Sequence, residues 1–137
     1  MEGKIKITDL DYVRLCNLIT SLKQSKNGEL KNISVLAEEI ARAERVDPKQ
    51  ISPEIVTMNS TVEIMDLDTN KSLIVKLVYP IDADFKKGNV SILSLVGSAI
   101  LGYKAGSKIS FEVPLGKKEM MIKKIIYQPE SNGEFTV

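Results

Sequence analysis

A chain of 137 residues with 43% apolar and 27% charged side chains has the size and composition of one ordinary globular core, or of a small domain with a helical appendage. Nineteen basic and eighteen acidic residues leave a net charge of +1. That balance argues against a protein held to nucleic acid by a basic field, so weak or no direct nucleic-acid binding and a protein partner are expected. A single cysteine, Cys16, excludes an intrachain disulfide framework and fits a reducing cytoplasm. Residues 1–10 carry Glu2, Lys4, Lys6 and Asp9 where a signal peptide would be apolar, and no apolar run of membrane-spanning length follows.

Residues 4–7 read as a short extended lead-in. Thr8 then opens a helix, with Asp11 three residues on as a partial capping box and early acids suited to the positive helix end. Leu15, Leu18, Ile19 and Leu22 make one apolar stripe at helical period, bordered by Tyr12 and Cys16. Cys16 therefore reads as a small core hydrophobe rather than a reactive thiol. Asn27-Gly28 supplies turn chemistry, and a second helix is expected from about Glu29 to Arg45, with Ile33, Leu36, Ala37 and Ile40 as its stripe and Glu38–Arg42 as an i,i+4 pair. Two helices joined so closely form an antiparallel hairpin, each arm of about 16 residues and so roughly 24 Å long. Asp47-Pro48 closes the second helix, and 47–53 reads as an extended linker. The expected division is a short helical hairpin domain over 1–50 and a second domain over 51–137.

From Ile55 the period changes to two. Val56, Met58, Val62 and Ile64 alternate with polar residues, as in one half-buried strand. Asp68-Thr69-Asn70 is a hairpin turn, and Leu73, Val75, Leu77 and Tyr79 line one face of the return strand, which Pro80 ends. Val90 to Leu93 is a short buried strand. Ser94 is a helix N-cap, the next turns are poor in polar side chains, and Gly102 is a natural stop, with Ile100 and Leu101 facing the core. Ile109, Phe111 and Val113 alternate in a further strand, Pro114 to Lys117 turns the chain, and Glu119 to Tyr127 returns it. Ser131 to Val137 carries no core signal and reads as loose. The fold class is α+β: a helical hairpin followed by a mostly antiparallel sheet with one short helix.

Little here supports catalysis. Without histidine there is no Ser-His-Asp triad or Cys-His dyad, and the usual zinc sites are absent. Gly97 to Gly102 lacks the lysine of a phosphate loop. Asp82 and Asp84, two apart, point the same way if extended and could serve a divalent ion; solvated surface is the commoner explanation. The chain is read as no enzyme, with no catalytic residue, metal or cofactor.

The run Asp66-Leu67-Asp68-Thr69, Val78-Tyr79-Pro80, Asp82-Ala83-Asp84 and Ser91-Ile92-Leu93, followed by the Ser94 to Gly102 turn, resembles the C-terminal domain of the bacterial Gre transcript-cleavage factors (GreA/GreB), and more closely their Rnk-like branch, named as regulators of nucleoside diphosphate kinase. The similarity covers about residues 54–130, bracketed by Thr57-Met58-Asn59-Ser60 and Tyr127-Gln128-Pro129-Glu130. It implies an FKBP-like sheet domain and an N-terminal coiled coil. It also implies a cytoplasmic transcription regulator whose partner is RNA polymerase, docked at the rim of the secondary channel with the hairpin pointing inward. DNA binding is a term attached to the family. Gre factors hold a catalytic magnesium ion with acids at the hairpin tip. Here the tip is Lys26, Asn27, Gly28 and Glu29, with one acid among lysines on short arms. Transcript-cleavage stimulation is therefore the lesser alternative, as is direct regulation of nucleoside diphosphate kinase. The resemblance assigns polymerase docking to Asp82, Asp84, Ser94, Leu95, Val96 and Gly97, with Leu95 standing where proline commonly follows the serine. A monomer is expected.

Overall fold

The computed structural model describes residues 5–25, 30–113 and 116–134. The extended lead-in becomes a three-residue strand, β1 (Lys6–Thr8), with Ile7 and Thr8 fully buried. Thr8 caps helix α1 (Asp9–Ser25): the Asp11 amide donates to Thr8 Oγ1 at 3.1 Å, satisfying one of the amides that a helix start leaves unpaired. The Asp11 carboxylate does not complete the capping box. It turns to the sheet and accepts the Met58 amide at 3.1 Å.

Helix α2 (Leu30–Arg42) packs on α1, and Leu15 and Ile19 of α1 share one buried cluster with Leu36 and Ile40 of α2. The helix stops three residues before the expected Arg45. The Ala43 amide turns to Ile40 O at 3.1 Å, and Glu44 donates to Ile5 O at 2.8 Å, starting strand β2 (Glu44–Val46) parallel to β1. Backbone partners already held by β1 outweigh the helical preference of the segment, a tertiary override of local propensity. Arg45 then closes the base of the hairpin: its Nε is 3.1 Å from Asp9 Oδ1, and its guanidinium lies 4.2 Å from the Tyr12 ring centre. The start of α1 and the end of α2 thus lie together, so the helices run antiparallel. Arg42 pairs with Glu39 rather than Glu38, since i,i+3 neighbours also share a helix face.

The segment 47–53 is not extended. Gln50 donates to Asp47 O and Lys49 to Asp47 Oδ1, both at 2.8 Å, and Ile51 is buried. Nor is 55–64 one strand. Ile55 makes an isolated bridge to Lys104, Thr57 and Ser60 close a turn on each other, and Asn59 takes a left-handed φ of 67°. Only then does β3 (Thr61–Asp66) begin.

Five strands form the main sheet in the order β5–β4–β3–β7–β6, with β4 (Ser72–Val78), β5 (Asn89–Ser91), β6 (Lys108–Val113) and β7 (Gly116–Tyr127). All neighbours are antiparallel except β4 and β5. Val62 lies opposite Val75 and Ile125, and Ile64 opposite Leu73 and Ile122. Val62, Ile64, Val75, Leu77 and Ile122 make the buried face, but Leu73, expected among them, is 56% exposed. It is the second residue of β4, at the strand end beside the 67–71 turn, where the cover of the sheet runs out. Helix α3 (Leu95–Ile100) carries the chain from edge strand β5 to the opposite edge strand β6 and packs against both, with Ile100 and Leu101 buried as expected.

Residues 131–134 are not loose. Glu130–Asn132 form a short turn in which Ser131 and Asn132 each donate a side-chain hydrogen bond to Gln128 O at 2.9 Å. Residues 135–137 lie outside the described part of the chain. Ile5, Ile7, Leu15, Leu36 and Ile40 belong to the same hydrophobic cluster as Val56, Val62, Leu77, Ile100 and Ile122, so the base of the hairpin and the sheet share one core.

Candidate protein-docking site

The one parallel pair in the main sheet sets the geometry of the site. β4 and β5 are in register at Val78 and Ser91, and Ile92 donates to Val78 O at 2.9 Å. Both strands therefore leave the sheet at the same end. Three residues beyond this register lie Ile81 after β4 and Ser94 after β5.

From β4 the chain passes through Tyr79 into a tight turn, Pro80–Asp82, that packs against β5. Proline at the first turn position has its φ preset and no amide to leave unpaired. Asp82 and Ala83 donate backward to Tyr79 O and Pro80 O, so the turn is closed by its own backbone. Its side chains face out: Ile81 is 91% exposed and Asp82 is exposed. Asp84 differs. It pairs through its backbone with Asn89, and its Oδ1 accepts the Lys86 amide at 3.1 Å, so this carboxylate shapes the second turn, Phe85–Lys87.

From β5 the chain enters α3 through a serine pair. Leu93 donates to Ser91 Oγ at 3.0 Å, Ser94 Oγ donates to Ser91 O at 2.7 Å, and Ser94 Oγ accepts the Gly97 amide at 3.0 Å. Ser94 is thus the N-cap that its sequence position indicated. Leu95 projects outward at 41% exposure, Val96 is half-buried against the core, and Gly97 is buried. A Cβ on Gly97 would come within 2.9 Å of the Ser91 carbonyl carbon and closer still to its oxygen, so the absent side chain lets α3 start hard against the end of β5.

Five of the six residues assigned to docking are thus placed at the end of β4/β5 or on the loop between those strands, with Gly97 beneath them as support. Ile81 was not singled out from the sequence, because an isoleucine after proline in an apolar-polar alternation looks like strand end or core. The hairpin tip residues Lys26, Asn27, Gly28 and Glu29 lie outside the described residues. Among the described residues no cluster of three or more metal-ligating side chains occurs, and no helix is long and apolar enough to cross a membrane.

A second polar group sits behind the site. Asp11 is 2% exposed and accepts Met58 N at Oδ2 and, at a long 3.5 Å, the Tyr79 hydroxyl at Oδ1. Burial pushes its carboxyl up to about 7 against the bond from Met58, and the nearby Glu130 charge adds to the rise. Burial and the Asp11 charge likewise hold the Tyr79 hydroxyl in its neutral form. Tyr79 immediately precedes the Pro80–Asp82 turn, so α1 of the hairpin touches the strand end that carries the site.

Residues 51–127 match the family described as "Transcription elongation factor, GreA/GreB, C-term", and residues 4–46 match "Rnk N-terminus". The chain is 32% identical over 132 residues to "Regulator of nucleoside diphosphate kinase" of Escherichia coli, covering 96% of this chain and 95% of that one. It is 34% identical over 103 residues to "Transcription elongation factor GreA" of Rhodopseudomonas palustris, covering 75% of this chain but only 65% of the longer relative. A solved structure, "Prokaryotic transcription elongation factor GreA/GreB from Nitrosomonas europaea", superposes with a TM-score of 0.75 at 39% identity, covering 90% of this chain and all of that one.

Proposed function

Because the chain belongs to the GreA/GreB family of transcription elongation factors, in its Rnk branch, we propose that it is a non-catalytic regulator that binds RNA polymerase. In this reading the sheet domain, residues 51–137 with an FKBP-like topology, docks on the rim of the secondary channel. The hairpin of residues 1–50 points into the channel and denies it to Gre-type factors.

The observation that supports docking most directly is the exposed Leu95 on a capped, closely packed helix start. A protein-binding surface gains most from an apolar side chain that is exposed in the free protein yet already held in place. Leu95 follows the Ser94 cap and sits above the buried Gly97, within the stretch that matches the family. Silence in catalysis rests on the tip sequence, where Glu29 alone is acidic and Lys23, Lys26 and Lys31 surround it. A hard divalent cation asks for more carboxylate oxygen than that.

The test is a competition assay. A backtracked polymerase complex with a subsaturating Gre cleavage factor is titrated with this protein, and transcript cleavage is followed. Cleavage should fall with dose. An unchanged rate at a large excess, or a rise in cleavage produced by this protein alone, would refute the proposal.

The name of the Escherichia coli relative favours one other reading, direct contact with nucleoside diphosphate kinase. An effect on the kinase through transcription requires no second binding surface and is the reading adopted. Direct association of the two purified proteins would replace it.

A further inference from the structure

We infer that Ile81 and Asp82, together with Leu95, form the anchor by which this chain grips its partner, and that the matching patch on polymerase is an apolar groove flanked by a lysine or arginine. The inference rests on the polymerase-binding reading and gives it chemistry. Three observations carry it.

The first is the exposure of Ile81. An isoleucine 91% open to water, on a turn closed by its own backbone bonds, contributes nothing to the core. Burying it in a partner would remove its apolar surface from water, and because the turn backbone is already closed, the ordering left for binding is that of the side chain alone.

The second is placement. The parallel register of β4 and β5 sends Ile81 and Leu95 out of the same end of the sheet, and the Ile81 turn packs against β5. Two exposed aliphatic side chains, one on the Pro80–Asp82 turn and one at the start of α3, with β5 packed against both elements, suit an apolar groove.

The third separates the two acids. Asp84 spends an oxygen on the Lys86 amide and its backbone on Asn89. The Asp82 carboxylate is exposed and has no hydrogen-bond or ion-pair partner among the described residues. Asp82 is therefore the acid available to a partner's cation, and Asp84 the one that keeps the loop in shape. A cation beside an apolar groove complements this pattern, and the contact would weaken with salt.

The experiment measures the dissociation constant of labelled full-length protein with purified RNA polymerase core, for the wild type and four variants. Ile81→Ala and Asp82→Asn should each weaken binding at least fivefold with unchanged melting temperatures, and the Asp82→Asn loss should shrink as salt rises. Ile74→Ala, which trims an isoleucine 56% exposed on β4, away from the Pro80–Asp82 turn, should leave affinity within twofold. Asp84→Ala, which removes the acceptor of the Lys86 amide, should lower the melting temperature as well as the affinity. Wild-type binding that Ile81→Ala and Asp82→Asn do not weaken would overturn the anchor and leave polymerase binding standing. No binding by the wild type would overturn both.

Discussion

The backbone amide of Met58 donates to Asp11 Oδ2 at 3.1 Å, across 47 residues of sequence. The bond ties the first turn of α1 to the turn that precedes β3, and both groups are buried. Asp11 thus acts as a polar pin between the helical hairpin and the sheet, next to Tyr79 and the strand end that carries the Pro80–Asp82 turn proposed for docking.

The pin titrates. Burial, with help from Glu130, raises the Asp11 carboxyl to about 7, while the Met58 amide, Thr8 and Arg14 oppose the rise. An unfolded aspartate ionises near pH 4. Between about pH 4 and 7 the folded state therefore binds the extra proton, and stability contributed by Asp11 is greatest at low pH and falls as pH rises through that window. The limiting slope is about 1.4 kcal/mol per pH unit. Asp11→Asn keeps an acceptor for Met58 and a donor for Tyr79 but does not titrate. The wild type minus variant difference in urea midpoint should decline from pH 4.5 to 7 and then level off. A difference independent of pH would show that Asp11 is ionised throughout.

Gln128 makes a second tie. At 1% exposure it donates through Nε2 to Ser52 O at 2.8 Å and Ile55 O at 2.7 Å, holding the end of β7 to the segment that enters the sheet domain. Gln128→Ala leaves two carbonyls short of donors and opens a void. It should cost about 2–4 kcal/mol in urea denaturation. A loss under about 1 kcal/mol would mean that water replaces both bonds.

Ser94→Ala removes the acceptor of the Gly97 amide and the donor to Ser91 O. A loss of about 1–2 kcal/mol is expected, at the upper part of the N-cap range because two bonds go. Polymerase affinity should fall with it, since Leu95 depends on that cap for its position. Lost stability with intact affinity would separate the cap from docking.

The sequence carried Leu15, Ile19, Leu36 and Ile40 of the helical stripes, the Ser94 cap, the Gly102 stop and most of the alternation of β3, β4 and β6, because each is a local pattern of side chains with one physical cause; Leu22 and Ile33 of the stripes and Val113 of β6 lie outside the described side chains. It did not carry β2, whose residues Glu44 to Val46 have no strand pattern and pair only because β1 presents free backbone. Nor did it reveal the break at Met58-Asn59. The apolar alternation through Val56, Met58 and Val62 is genuine, but Val56 and Met58 fill the core from a turn. At the candidate site, local chemistry marked Ser94 only as a helix cap, and it was the family resemblance that pointed to Ser94 and the Asp82–Asp84 loop for docking. The different duties of the two aspartates, and the outward aim of Ile81, follow from the parallel pairing of β4 with β5. A pairing 13 residues apart in sequence leaves no periodic trace in either strand.

Two glycines at the ends of α3 give the sharpest test of that packing, because they are required for different reasons. Gly97 is needed for space: an added Cβ strikes the backbone carbonyl of Ser91, which has no rotamer to relieve it. Gly102 is needed for conformation as well, with φ at +82°, and an added Cβ would lie 2.7 Å from the Ile5 Cβ. Gly97→Ala and Gly102→Ala should each destabilise by about 2–3 kcal/mol or more. Their partners differ. Ile5→Gly removes the Cβ that opposes Gly102→Ala, whereas Ile5→Ala would keep it, and neither change touches the Ser91 and Ile92 backbone that faces Gly97. The double variant Ile5→Gly/Gly102→Ala should therefore be more stable than the sum of its single losses predicts, by about 0.5–1.5 kcal/mol, while Ile5→Gly/Gly97→Ala should be additive. Additivity in both pairs would mean that the cost at Gly102 is backbone strain alone, and that Ile5 does not press on the end of α3.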